Sequence, residues 1–201
     1  MSITLVERSD GIRIIQLMHP GQAAPFRASF AGAYQTIFAE PPYSERFSSE
    51  EAAGVLLSTL QIPENLTLLA VEGDNKVVGF GLAIPLRARR DIVRALQGLV
   101  PVRHSYYLAE LGVLESHRGG GLGHQLVKLR MERIDARRYT HIVLRTSALR
   151  NASYEMYRRM GFDDMGVYME VPSPRTDGRE TTDRRLFLSR VISAPDEAVI
   201  D

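Results

Sequence analysis

The feature that most limits what this chain can fold into is a glycine-dense break, Arg118-Gly119-Gly120-Gly121-Leu122-Gly123. It separates a strand pattern (Tyr106 to Leu114) from a helical one that the periodicity predicts to run on to about Arg138. Glycine lets backbone amides approach a ligand and turn toward it, and a helix N-terminus adds unpaired N–H groups and the positive end of its dipole. Strand, glycine loop and helix in that order make a seat for a phosphate or pyrophosphate. A plain turn has no need of three successive glycines, which raise the entropy lost on folding. A nucleotide P-loop would end in Gly-Lys-Ser/Thr, whereas Gly123 is followed by His124-Gln125. The dinucleotide fingerprint needs a third glycine three residues after its second, and none stands there.

The rest of the chain arranges itself around this loop. Gly11 to Met18 reads as a strand. Ala28 to Phe38 carries Phe30, Tyr34, Ile37 and Phe38 at helical spacing, and a second helix starts at the serine cap Ser48-Ser49-Glu50-Glu51 and stops before Pro63. Leu66 to Glu72 and Lys76 to Ile84 form a hairpin about Gly73-Asp74-Asn75. Leu86 to Arg103 holds a short, arginine-rich amphipathic helix. In the helix after the loop, Leu122, Leu126 and Leu129 form one apolar row. Thr140 to Thr146 is a β-branched strand, Asn151 to Met160 a helix stopped by Gly161-Phe162, and Met165 to Val171 and Arg184 to Val191 two closing strands. The polar stretch Pro172 to Asp183 is expected to be a loop joining them, and residues 192–201 a tail. Nothing divides the 201 residues, so one α+β domain spanning 1–201 is expected, with a core over about 12–191.

Composition removes several kinds of chemistry. The chain has no cysteine, which excludes disulfides, thiolate-bound metals and a cysteine nucleophile. His19, His104, His117, His124 and His141 are scattered without metal-ligand spacing, so no metal is expected. A net charge of +1 and the lack of interleaved aromatic residues argue against nucleic acid as a partner. The N-terminus has charges where a signal peptide needs an apolar run, and no segment approaches a membrane span, so a soluble, cytoplasmic protein with no membrane partner is expected. The neutral total hides a local excess: from Arg118 to Arg150 there are eight basic side chains against two acids.

The spacing Arg118-x-x-Gly121-x-Gly123, joined to Tyr157-Arg-Arg-Met-Gly161-Phe162 further on, resembles the GNAT superfamily of acyl-CoA-dependent N-acetyltransferases. The resemblance extends in element order over most of the chain. It implies the GNAT-like acyl-CoA N-acyltransferase fold, a mixed, mostly antiparallel central sheet flanked by helices. It also implies acetyl-CoA as cosubstrate, a small-molecule or peptide amine as acceptor, and a possible homodimer. By the same resemblance the amides of Arg118, Gly119, Gly120, Gly121, Leu122 and Gly123 hold the pyrophosphate, and Leu111, Gly112 and Val113 pair with the pantetheine arm like an added strand. The Val113 N–H would polarise the thioester carbonyl.

Acyl transfer to an amine needs a base and an acid. Tyr157 stands where the family places a tyrosine near the CoA sulfur, able to protonate it, although with Tyr154 one turn away the same face could serve packing. Glu110 shares a strand face with Gly112 and Leu114, so it could reach the amine as base or cation binder, or be a structural carboxylate paired with an arginine. Asn151 resembles an asparagine that contacts pantetheine. It lies six residues before Tyr157 where many relatives have seven, which leaves open a role as helix cap. Acceptor choice would fall to Tyr34 to Gln61, Leu86 to Arg103 and Pro172 to Asp183, which carry no readable motif; their arginines suit an acceptor bearing a carboxylate. A non-catalytic acyl-CoA-binding module is the rival reading.

Overall fold

Residues 2–193 are described by the computed structural model of this chain. The serine signal in the sequence becomes a reciprocal cap: Ser48 Oγ accepts from the Glu51 N–H at 3.2 Å and Glu51 Oε2 accepts from the Ser48 N–H at 2.7 Å. That cap starts helix α2 (Ser49–Gln61), which packs on α1 (Arg27–Ala39). Phe30, Tyr34, Ile37 and Phe38 of α1 are all buried; Tyr34 stacks on Phe80 with ring centroids 5.5 Å apart, and Phe30 meets the same ring tilted by 52° at 4.9 Å.

Eight strands form one sheet. In chain order they are β1 (Ile3–Glu7), β2 (Ile12–Leu17), β3 (Leu66–Glu72), β4 (Lys76–Pro85), β5 (Ser105–Val113), β6 (His141–Ser147), β7 (Asp163–Pro174) and β8 (Glu180–Val191), and across the sheet they run β1-β2-β3-β4-β5-β6-β8-β7. Every pair is antiparallel except β5 with β6. Helices α1, α2 and the short α3 (Arg90–Leu96) cover one face. Helices α4 (Leu122–Arg133) and α5 (Ala152–Arg159) cover the other. The mixed, mostly antiparallel architecture expected from the sequence is present. No helix among the described residues is long and apolar enough to cross a membrane.

Four readings need correction. Strand β1 escaped notice because it is an edge strand, half exposed along its length, with too little buried face to stand out. Helix α4 stops at Arg133, not Arg138: Asp135 takes the Arg137 N–H on its side chain at 3.0 Å and the Arg138 and Tyr139 N–H groups on its carbonyl, forming a turn that competes with the helix. The buried row of α4 is Leu122, Leu126 and Arg130, an i+4 step, with Leu129 beside it and only half buried. The stretch expected to be a loop over Pro172 to Asp183 is mostly strand, with β7 and β8 extending the hairpin to a tip at Arg175 to Arg179. Pro172 and Pro174 are tolerated there because β7 is the outer strand of the sheet. Most of the expected tail, residues 194–201, lies outside the described residues.

The pairing of β5 makes the functional geometry. On the β4 side the register slips: Leu82 faces Glu110 and Ala83 faces Leu108, leaving Ala109 as an inserted bulge residue. On the β6 side, pairing runs from Ser105 to Leu108 and then ends, although β5 continues to Val113 and β6 to Ser147. The two strands therefore part like a fork. Gly112 lies on the freed length and presses against the core: a Cβ there would sit 2.5 Å from Phe80 Cζ and 3.0 Å from Ile37 Cδ1. Because Phe80 is fully buried and cannot step aside, Gly112→Ala is expected to lower unfolding stability by about 1–3 kcal/mol. Denaturant titration checks it, and an unchanged midpoint would refute the close-packing argument.

Candidate active site

The fork opens on two spaces. A groove of about 640 Å³ runs from β5 over the glycine loop, lined by Leu111, Gly112 and Val113, by Gly119, Gly121 and Gly123, and across the gap by Asn151 and Ser153. On the α1 side a smaller cavity of about 260 Å³ is lined by Tyr34, Tyr43, Tyr107, Glu110, Arg145 and Tyr157. Tyr43, Leu111 and Ser153 border both.

The freed edge of β5 carries unused backbone groups. Leu114 N–H donates to Val78 O on β4 at 2.9 Å, so by strand alternation the N–H groups of Leu111 and Val113 point away from β4, into the fork. Gly119 and Gly121 adopt left-handed φ values of +82° and +80°, and Gly121 is the N-cap of α4. Only glycine takes that conformation readily, which accounts for Gly119 and Gly121, whereas Gly123 is helical. Arg118 acts as a clip: its Nε donates to Val113 O at 2.9 Å and its Nη2 pairs with Glu40 at 2.5 Å. Arg8, directly after β1, gives no signal in the sequence and holds the loop from the other side through Gly120 O at 2.8 Å and Gln125 Oε1 at 2.5 Å. Unpaired strand amides leading to a glycine-lined helix N-terminus fit a long acyl carrier with a phosphate group at one end.

Helix α5 shows why Tyr157, Gly161 and Phe162 travel together. Gly161 takes φ +80° at the helix end, the Phe162 N–H returns to Tyr157 O at 3.1 Å, and the two rings meet edge to face at 5.6 Å. Asn151 caps this helix, its Oδ1 accepting the Tyr154 N–H at 3.0 Å, while also bordering the groove. The Tyr157 hydroxyl is buried, which pushes its pKa up to about 12, against a smaller downward pull from Arg130. At neutral pH it is a proton donor.

Glu110 lines the cavity, and its carboxylate makes no hydrogen bond with a described residue. Burial raises its pKa to about 7; Arg89, Arg145 and Arg185 oppose the rise and Glu45 adds to it. An acid and a base thus border the same space with their proton affinities set far apart.

Arg130 is fully buried beneath the bulge. Its Nη1 donates to Leu82 O and Glu110 O, both at 3.0 Å, and its Nε to Leu126 O at 3.2 Å. Those first two carbonyls belong to the residues where the ladder slips. Gly81 makes room, since a Cβ there would lie 2.8 Å from Arg130 Nε. Nη2 has no partner of ordinary hydrogen-bond geometry, and the neighbouring Tyr157 phenol and Glu110 act on the guanidinium. An arginine at an apolar-row position was the available sequence signal for this residue. Among the described residues no group of three or more His, Asp or Glu side chains is placed to hold a metal ion.

The comparisons with known proteins come down on one family. Residues 30–162, well over half of the chain, match the model described as Acetyltransferase (GNAT) family. The chain belongs to the GNAT family. N-acetyltransferase 8F1 of Rattus norvegicus is 32% identical over 95 residues, which is 47% of this chain and 38% of that protein. The match thus spans well under half of that relative. The ribosomal-protein-alanine N-acetyltransferase of Brucella melitensis superposes with a TM-score of 0.59 at 20% identity, over 89% of this chain and 99% of that one. A chain of the NatC complex, solved bound to Gag peptide and CoA, gives 0.59 at 17% identity, over 90% and 99%. These structural likenesses establish the fold as that of GNAT acetyltransferases.

Two outcomes follow from the buried charges. Arg130→Met strands the Leu82 and Glu110 carbonyls, and a loss of about 1–3 kcal/mol is expected, with faster amide exchange in β5; exchange rates over Glu110 to Val113 equal to wild type would refute the clamp. Glu110 has its folded pKa raised from 4.5 to about 7, so its stabilising contribution is complete below about 4.5 and disappears as pH rises through 7. Glu110→Gln should therefore gain stability relative to wild type as pH is raised from 5 to 8, read from thermal midpoints.

Proposed function

We propose that this chain transfers an acetyl group from acetyl-CoA to a primary amine by direct attack. One observation carries the reading: groove and cavity share Leu111 and Ser153 at the fork between β5 and β6, and Glu110 and Tyr157 both line the cavity.

Acetyl-CoA, when bound, supplies a thioester carbonyl already activated for acyl transfer. The N–H groups of Leu111 and Val113 hold the pantetheine arm as an added strand, and that of Val113 polarises the carbonyl oxygen. Gly119 to Gly123 and the N-terminus of α4 receive the pyrophosphate. Glu110 takes the proton from the incoming ammonium, directly or through water, because its affinity lies near neutrality. Tyr157 gives its proton to the departing sulfur. Asn151 steadies the start of α5, and so the position of Tyr157, as its cap. The chain has no cysteine, so the acetyl group has no thiol to rest on and passes straight to the amine.

The pH dependence separates these roles. With Glu110 as base, kcat/KM rises as pH increases through about 7 and then levels. Glu110→Gln removes that limb and lowers kcat/KM about a hundredfold, and Tyr157→Phe lowers kcat by a similar factor. Thiol release measured across pH for the three proteins decides it. A limb that survives in Glu110→Gln removes Glu110 as base. Tight acetyl-CoA binding with no thiol release for any amine would favour a non-catalytic binding module.

A further inference from the structure

Among the described residues, the 260 Å³ cavity contains charges that act on one another across it without a direct hydrogen bond or ion pair. Along one wall everything is paired: Arg185 binds Glu45 and Asp183, Arg175 binds Asp183, and Ser173 Oγ bonds both Glu45 and Asp183 at 3.2 Å. Arg89, nearby, is held by Asp91 at 3.0 Å. Two groups facing the cavity are different. The Glu110 carboxylate makes no hydrogen bond or ion pair with a described residue. Arg145 of β6 is half buried, belongs to no ion pair among the described residues, and spends one N–H on Met169 Sδ at 3.4 Å. Next to it Thr146, only 3% exposed, also borders the cavity, and its hydroxyl is engaged by the neighbouring Tyr43 phenol.

We infer that the acceptor is a small amino acid, or an aminocarboxylate of that size, whose ammonium is taken by Glu110 and whose carboxylate is taken by Arg145. This rests on the acyl-transfer reading above and narrows its substrate class. A guanidinium facing a carboxylate in a partly closed space is the pairing that recovers most of the desolvation penalty both charges incur. A plain monoamine leaves Arg145 unanswered, and a diamine sets a second cation against it, so the same residue selects for one class and against the other.

Size and closure point the same way. The cavity lies just under the roughly 300–1,000 Å³ of drug-sized sites. Its roof is the tip of the β7–β8 hairpin, docked on the segment after α1: Arg46 N–H donates to Pro174 O at 2.8 Å, Thr176 N–H to Ser44 O at 3.0 Å, and Glu45 bridges to Arg175. A polypeptide acceptor would have to displace these contacts; an amino acid would not.

The step balances. The amine lone pair forms the C–N bond to the acetyl carbonyl as the C–S bond breaks. The nitrogen loses its proton to Glu110, Tyr157 supplies one to the sulfur, and the products are an N-acetyl amino acid and the free thiol of CoA.

The full-length protein should be assayed for thiol release with acetyl-CoA and matched acceptors: free amino acids, their carboxamides and methyl esters, the decarboxylated amines, a diamine, and dipeptides. Wild type is expected to prefer the free acids over their amides by about a hundredfold in kcat/KM. In Arg145→Met that ratio falls to near one, and Arg145→Lys gives an intermediate ratio. Equal turnover of acid and amide by wild type, a diamine among the best acceptors, or an Arg145→Met ratio equal to wild type overturns the inference while leaving acyl transfer in place. Preference for dipeptides over free acids overturns the size argument. Absence of thiol release with every amine overturns acyl transfer itself. The wild-type comparison needs no variant to fold.

Discussion

The site depends on one buried cation. When a strand takes an extra residue, the carbonyls on either side lose their ladder partners, and a buried carbonyl without a donor costs about 1–3 kcal/mol. Arg130 donates to both of them, at Leu82 and Glu110, from beneath the sheet. The bulge is thereby made stable, and everything at the site follows from it. Beyond the inserted Ala109, the alternation of β5 is reset, which brings Glu110 to the α1 face with Leu82 and leaves Leu111 and Val113 with amides turned into the fork. A regular β5 would have continued its pairing with β6 and closed the groove.

The same cation links the fold to acid–base chemistry. Burial alone would push a carboxylate and a phenol upward together. Glu110 reaches about 7 because three arginines oppose its burial, whereas Tyr157 reaches about 12 with Arg130 as its main counterweight. Two groups at one cavity thus hold different protonation states at neutral pH, the condition for passing a proton in at one place and out at another.

Local chemistry was readable in the sequence, and long-range geometry was not. The serine cap of α2, the aromatic face of α1, the hairpin after Leu66 and the glycine loop each state their conformation within a few residues. Arg118 to Gly123 and Tyr157 to Phe162 could be recognised because backbone conformation, left-handed at Gly119, Gly121 and Gly161, restricts the residue type. The acceptor wall is different. Tyr34 of α1, Tyr43 in the segment after it and Arg145 and Thr146 of β6 share a cavity only because β5 and β6 part. Arg145 looks like any strand arginine, and nothing near it in the chain says that its guanidinium lacks a carboxylate. The hairpin tip misled for a related reason: prolines and polar residues over Pro172 to Asp183 describe a loop, yet an outer strand accepts both.

The charge pattern around the cavity carries a further consequence. A chain selected for stability alone would pair or remove every half-buried charge, and on the Glu45 wall this one does so with Arg185, Asp183, Arg175 and Ser173. Those pairs also fasten the hairpin over the cavity, so the roof is held by charges that need nothing from a ligand. Beside these pairs, Glu110 and Arg145 have no directly bonded ion-pair partner among the described residues. Charges paired in one part of a cavity and left without direct partners in another mark the surface where the protein meets something else. The meaning of Arg145 therefore comes from contrast: its neighbours show that this fold can pair a half-buried arginine with a carboxylate, and among the described residues Arg145 forms no such ion pair.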